Sequence, residues 1–186
     1  MAEPVPAWAY ERVELSTPDP RWAGAARLEA ERLAHLLAPW LAGGVEHIGS
    51  TAVPGLAAKP VIDLMAAVTG IDEAAREAGD RRAADGWHHV PPPLDGRPWR
   101  RFYVKPDESG LRRRAHLHIL EQGHPRWADQ LAFRDALRAD PGLRRAYTEL
   151  KRRLAREHPD DRERYTDAKS AFVALALGRS GEFRYR

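Results

Sequence analysis

The chain has 186 residues, 43% of them hydrophobic, no cysteine and a formal net charge of +3. That length fits one domain able to bury a core unaided, and the lack of cysteine excludes disulfides, thiolate metal sites and cysteine nucleophiles and suits a reducing cytoplasm. The pI near 9.4 overstates the basic balance, which comes from 26 Arg against four Lys; with abundant Ala this matches a coding bias, and a nucleic-acid surface requires clustering rather than a high pI.

The N-terminus, MAEPVPAW, lacks the basic-then-apolar pattern of a signal peptide, and no run is long enough to span a bilayer, so a cytoplasmic location without membrane association is expected. Tyr10 to Leu15 alternates as a short strand would, until Ser16-Thr17-Pro18 breaks it. Asp19 and Pro20 then open a helix whose apolar stripe, including Trp22, Ala26, Leu33 and Leu37, runs to Pro39. Gly43-Gly44 precedes a strand over Val45 to Ile48, and Val61 to Leu64 reads as a buried strand interrupted by one carboxylate, Asp63. Asp72 to Ala84 reads as a single helix closed by Gly86. His88 to Pro98 contains four prolines and is expected to form no regular element. Trp99 to Val104 and Ala115 to Leu120 form an antiparallel hairpin with a long polar tip. Three helices finish the chain, over Arg126 to Arg138, Gly142 to Glu157 and Arg162 to Leu177, with core spacings at Leu143, Tyr147, Leu150, Leu154 and at Tyr165, Phe172, Leu175. The expected organisation is one domain over 1–186, with an α/β core over 1–122 and a helical part over 123–186.

The chemistry concentrates between Val45 and Val68. Gly49-Ser50-Thr51 is a tight turn whose amides and hydroxyls suit phosphate oxygens, or equally an ordinary turn with Ser capping a helix. After a twelve-residue connection comes Asp63, and an ionised carboxylate on a buried strand needs a cation, a hydrogen-bond network or a water-filled cleft. His116 and His118 alternate on their strand and share a face, so beside Asp63 they could hold Mn²⁺ or Zn²⁺ or a phosphate; they equally suit a polar cleft wall. His47, next to the turn, reads as a cleft residue or a satisfied structural histidine.

In a chain that writes Arg so freely, the four lysines, Lys59, Lys105, Lys151 and Lys169, mark places where a compact ammonium is wanted, or are chance survivals. Arg101, Tyr103 and Lys105 share a face by parity, which would set two cations beside a phosphate near Asp63, unless they pair with acids across a half-exposed sheet. Tyr165 and Lys169, four apart on the last helix, could close the cleft from the helical side. Arg112-Arg113-Arg114, Arg144-Arg145 and Arg152-Arg153 are the clusters on which RNA binding would rest, a minor alternative because two of them lie on amphipathic helices where solvated faces are expected.

The segment HIGSTAVPGLAAKPVIDL, residues 47–64, resembles the signature of the GrpB-like family within the nucleotidyltransferase superfamily, and WRRFYVK, HLHILE, LAFRDALRADP, AYTELKRRLA and YTDAKSAFV extend the resemblance over most of the chain. It implies a nucleotidyltransferase-like mixed sheet with flanking helices and a C-terminal helical cap. It also implies nucleotide binding, and the residues then read as a site that holds a nucleotide or another phosphorylated small molecule on Gly49, Ser50, Thr51 and Lys59, with Mg²⁺ or Mn²⁺ on Asp63 and Arg101 and Lys105 neutralising charge, and that passes a nucleotidyl group to an unknown acceptor. In the superfamily pattern the Gly-Ser turn is followed by a strand bearing two carboxylates at alternate positions; here the second position is Met65, a poor ligand for Mg²⁺. That departure supports an alternative, a binding or accessory module that keeps the phosphate cradle without catalysis. Because the family resembled here also occurs fused to dephospho-CoA kinase, a CoA-related ligand or partner belongs to that alternative.

Overall fold

Asp19 opens the first helix in the computed structural model, which describes residues 5–178. Its carboxylate accepts from the Arg21 N–H at 2.9 Å, satisfying one of the donors that a helix start leaves orphaned. Helix α1 (Arg21–Leu36) turns Ala26, Glu29 and Leu33 inward and stops short of Pro39. The strand expected over Tyr10 to Leu15 does not form. Ala7–Tyr10 is a 3-10 turn, after which the chain is pinned by a lone bridge between Ser16 and Ala58 and by the Val13 N–H donating to Pro159 O at 2.8 Å. Alternation is no ladder where no strand edge runs alongside.

Five strands follow: β1 (Leu41–Ile48), β2 (Ile62–Val68), β3 (His88–Val90), β4 (Arg100–Pro106) and β5 (Arg113–Glu121). They form one mixed sheet in the order β1-β2-β5-β4-β3, parallel between β2 and β5 and antiparallel elsewhere. Gly43 and Gly44 lie inside β1, where its register against β2 is irregular, rather than ahead of it. The β4–β5 hairpin forms as expected. The segment taken for an irregular loop contains edge strand β3 and the single-turn helix α4 (Pro92–Asp95). Its prolines begin only at Pro91, so they end the strand without preventing it, and Pro92 occupies the first turn, where no intrahelical N–H is needed.

Between β2 and β3 the expected single helix is two, α2 (Ile71–Glu77) and α3 (Gly79–Ala84). At the C-terminal end come α5 (Pro125–Ala139), α6 (Pro141–Glu157), α7 (Arg162–Asp167) and α8 (Ser170–Ala176), the last two replacing one expected helix. His124 and Asp140 cap α5 and α6, each ahead of a proline at the first turn. Among the described residues no helix is long and apolar enough to cross a membrane.

The two faces of the sheet divide the molecule. Ile62, Leu64, Ala66 and Val68 of β2 join Tyr103, Leu117 and Ile119 in a core shared with Ala26, Leu33 and Leu37. Facing the other way, Met65 packs with Ile48 and Leu120 against Trp127 and Leu131 of α5. Covering both faces of a strand removes its polar alternation, which is why β2 reads as an almost unbroken apolar run. Val53, Leu56, Phe133, Leu137, Tyr147 and Val173 tie the C-terminal helices to the β1–β2 connection. Leu175, expected in that core, is 79% exposed. The break at Ala168-Lys169 ends the helical phase that would have carried it inward.

Candidate functional site

Asp63 sits on the sheet face opposite α1, with Ile48 beside it on β1 and His116 beside it on β5. The β1–β2 connection begins directly over it. Gly49 adopts φ +70°, and a Cβ there would lie 2.5 Å from Asp63 Oδ2, so only glycine lets the turn pass so close to the carboxylate. The spacing of Gly-Ser and Asp thus brings the turn onto the carboxylate. Within the turn, Thr51 donates its hydroxyl proton to Val61 O at 3.1 Å and lies 3.0 Å from His47 Nε2. Its one hydroxyl proton is committed, so Thr51 braces the connection. Burial lowers His47 to about 4, keeping it neutral, and it belongs to that bracing rather than to the cleft lining.

Parity brings Asp63, His116 and His118 together. His116 Nδ1 lies 2.8 Å from Asp63 Oδ1 and His118 Nε2 3.7 Å from the same oxygen; each residue offers one donor atom and these lie within 4.8 Å of one another. Desolvation would push Asp63 up, but hydrogen bonds and charge from both histidines outweigh it and hold the carboxyl well below its usual range. Burial lowers His116 to about 3 and also lowers His118. Near neutral pH the cluster is therefore an ionised carboxylate with two neutral imidazoles. With His116 donating through Nδ1, its buried Nε2 carries a lone pair and has no hydrogen-bond partner among the described residues.

A cleft of about 1300 Å³ opens over this cluster, bounded by the sheet, the N-terminal segment and helices α4 to α7. Eight Lys and Arg side chains line it against three carboxylates, so its lining carries an excess of basic groups. Lys59 and Lys169 both lie over the Tyr165 ring, with Nζ 5.2 and 4.4 Å from its centroid. Burial lowers both lysines, Lys169 to about 8 and Lys59 well below its usual range. Lys151 of α6 donates to Ser50 Oγ at 3.0 Å and to Ala57 O, and burial lowers it to about 7. Among the described residues no carboxylate pairs with Lys59, Lys151, Lys169 or Arg113. Tyr165 of α7 is buried and lines the cleft beside Lys59 of the β1–β2 connection.

Two expected members lie elsewhere. Arg101 and Lys105 share a face, but it is the opposite one, because β4 pairs Phe102 with His118 and Val104 with His116. Arg101 pairs with Asp72, while Lys105 is buried between Glu29 at 2.7 Å and Asp85 at 2.9 Å. The cleft cation from that strand is Arg100, which contacts His118 Nδ1 and is held by Asp95 Oδ1 at 2.5 Å and Oδ2 at 2.8 Å. Arg100 adjoins the expected Arg101, and one residue of strand phase separates the cleft face from the opposite one. Arg113 and Arg162 were likewise missed. Arg113 lies 5.0 Å over Trp8, and Arg162 is paired with Glu11 at 2.7 Å.

The arginine clusters are divided. Arg113 turns into the cleft while its neighbours Arg112 and Arg114 are exposed. Arg144 donates to Leu137 O and Arg138 O at the end of α5, and Arg152 and Arg153 are solvated on α6.

A family model described as "GrpB protein" matches residues 12–179. UPF0157 protein YqkA of Bacillus subtilis is 36% identical over 165 residues, covering 89% of this chain and 46% of that protein. A dephospho-CoA kinase of Mycobacterium leprae is 32% identical over 202 residues, covering 94% of this chain and 48% of that protein. The chain thus spans about half the length of each of these two relatives. The crystal structure of conserved protein GrpB from Enterococcus faecalis superposes with TM-score 0.76 at 31% identity, covering 89% of this chain and 95% of that one. The MgGTP-bound Cid1 poly(U) polymerase superposes with TM-score 0.53 at 13% identity, covering 75% and 44%, a likeness of fold.

Proposed function

The chain belongs to the GrpB protein family and has a nucleotidyltransferase-like fold, and from that premise we propose that its cleft binds a nucleotide or similar phosphorylated small molecule together with a divalent cation and, with a nucleoside triphosphate bound, passes the nucleotidyl group to an acceptor as pyrophosphate leaves. The observation that carries the proposal is four cations without carboxylate partners among the described residues, Lys59, Arg113, Lys151 and Lys169, in one cleft with Asp63. Burial lowers the three lysines, and an anionic ligand would favour their charged forms. The Ser50 hydroxyl, oriented by Lys151, and the Gly49-Ser50 backbone receive phosphate oxygens. Lys59 and Lys169, both over the Tyr165 ring, neutralise them.

Asp63, His116 and His118 fit a divalent ion: one ionised oxygen, two neutral imidazoles and a buried Nε2 lacking a partner. Two nitrogens among three donors favour Mn²⁺ over Mg²⁺. Such an ion polarises a phosphoryl oxygen and orients the group being transferred. Around it, Arg100, fixed by Asp95, orients His118, and His116 holds the Asp63 oxygen. The test is thermal unfolding against nucleotides and CoA precursors with and without Mn²⁺ or Mg²⁺. The expected result is a metal-dependent rise in melting point with a nucleotide, abolished in Asp63→Asn; an unchanged melting point throughout, or a rise that Asp63→Asn retains, overturns the proposal.

One observation favours the non-catalytic alternative. Met65, where a second carboxylate would stand, is 1% exposed and packed against Ile48 and Leu120. In that reading the cleft binds a nucleotide or a CoA-related molecule without turnover, as a half shared with dephospho-CoA kinase relatives would. Ligand-dependent stabilisation without pyrophosphate release from any bound nucleoside triphosphate identifies it.

A further inference from the structure

The sheet order lays out a sequence of chemistries across the cleft floor. The Gly49-Ser50 turn follows β1, Asp63 lies on β2, His116 and His118 on β5, Phe102 on β4 and Val90 on β3. With strands about 4.8 Å apart, the four intervals span roughly 19 Å. Phosphates on the turn and an ion at Asp63 occupy the β1–β5 half. The β4–β3 half is left, and its walls differ in kind.

Trp8, Phe102 and Val104 form an apolar cluster with Ala9 and Val90 packed against it, and Trp8, Ala9, Val90 and Phe102 line the cleft. At the mouth stand Val5, 60% exposed, and Leu94, 79% exposed, which are two of the six large exposed hydrophobics among the described residues, and both line this cleft. Exposed aliphatics gathered at the rim of an apolar wall mark a surface that gains by being covered. At the inner end of this wall lies positive charge. The Arg113 guanidinium lies over Trp8, and Arg162 has a buried Nη2 with no hydrogen-bond partner among the described residues. The neighbouring carboxylates are already engaged: Asp95 with Arg100 and Arg97, and Glu11 with Arg162 at 2.7 Å, which leaves the Arg162 Nη2 unpartnered among the described residues.

We infer that the β4–β3 shelf is an acceptor subsite built for a small molecule with an aliphatic or aromatic body and an anionic group, the body on Trp8, Val90, Leu94 and Phe102 and the anion on Arg113 and Arg162. A cationic acceptor would meet two guanidiniums there. The assignment of the shelf to the acceptor rests on the nucleotide-binding proposal, which fills the other half of the cleft.

Octanoate and octylamine, with the same alkyl chain and opposite charge, test it by titration calorimetry on the full chain, with ATP and Mn²⁺ as the nucleotide probe. Octanoate is expected to bind and octylamine not, and octanoate to bind equally well when the protein is saturated with ATP and Mn²⁺. Leu94→Asp, at an exposed position that leaves folding intact, is expected to weaken octanoate roughly tenfold, the worth of a buried aliphatic side chain, while leaving ATP affinity unchanged. Octylamine binding as tightly as octanoate, octanoate binding unaltered in Leu94→Asp, or displacement of octanoate by ATP would each overturn the inference. If ATP binds and octanoate does not, the shelf assignment fails and the nucleotide proposal stands. If octanoate behaves as expected and ATP does not bind, the amphipathic subsite stands and the nucleotide proposal fails.

Discussion

At Gly49 the backbone passes so close to Asp63 that the identity of one residue is dictated by the side chain of another fourteen positions on. Gly49→Ala adds a Cβ 2.5 Å from Asp63 Oδ2 at a φ of +70°. Unfavourable φ costs about 1–3 kcal/mol before any movement of Asp63 is counted, so the urea midpoint should fall clearly. Gly43→Ala, where a Cβ meets nothing within 4 Å and φ is ordinary, is the control and should be near neutral or stabilising. Lys151 offers a second measurement at this scale. Burial lowers it to about 7 from its ordinary 10.5, so between those values the native state has released a proton that the unfolded chain keeps. Stability must then rise with pH across that window, by up to about 1.4 kcal/mol per pH unit, and be fully penalised below it. Lys151→Met should flatten the slope, seen as the difference between wild-type and variant unfolding free energies from pH 7 to 10.

Among the elements, β4 shows how a single phase decides between site and scaffold. Its odd-numbered residues look like a cationic face, and they are one, but that face lies toward α1 and α2. Lys105 bridges Glu29 of α1 and Asp85 after α3, and also lies 5.3 Å from the Trp87 ring centroid. Removing one partner of a buried pair leaves the other charge uncompensated, at about 3–5 kcal/mol. Lys105→Met should therefore lower stability by about that much while leaving ligand affinity unchanged, a combination that calorimetric unfolding and titration together detect. A ligand role for Lys105 would give the reverse. The even-numbered residues Arg100 and Phe102 face the cleft, and Arg100 is immobilised by Asp95 at the end of α4, in the segment that looked least structured.

For the whole molecule, a net charge of +3 conceals an uneven distribution: eight cations and three carboxylates line one interior cleft. Field lines focus into such a space, so nucleotide association should slow as ionic strength rises, by roughly tenfold between low and high salt in stopped-flow measurement. An association rate indifferent to salt would contradict this focusing. The outer arginines, by contrast, are dispersed: Arg144 caps α5, Arg153 lies 3.7 Å from Glu157, and Arg12 is tied to Asp160.

The strand pair, the hairpin, the helical C-terminal half and the pairing of Gly49-Ser50 with Asp63 were all legible in the chain, because they rest on local chemistry: apolar periodicity, caps, prolines and one carboxylate in an apolar run. The adjacency of His116 and His118 could be stated as a shared face, but only the parallel pairing of β2 with β5 sets that face beside Asp63. Arg100, Arg113 and Arg162 reach the cleft from residues far apart in sequence, and nothing local separates them from the other arginines of a chain that has 26. The orientation of β4, the division of the last helix and the burial of Met65 beneath α5 were likewise settled by packing. Local spacing determines which side chains can share a face; which way that face points depends on what covers it, and that is decided only when the sheet is packed between its two helical layers.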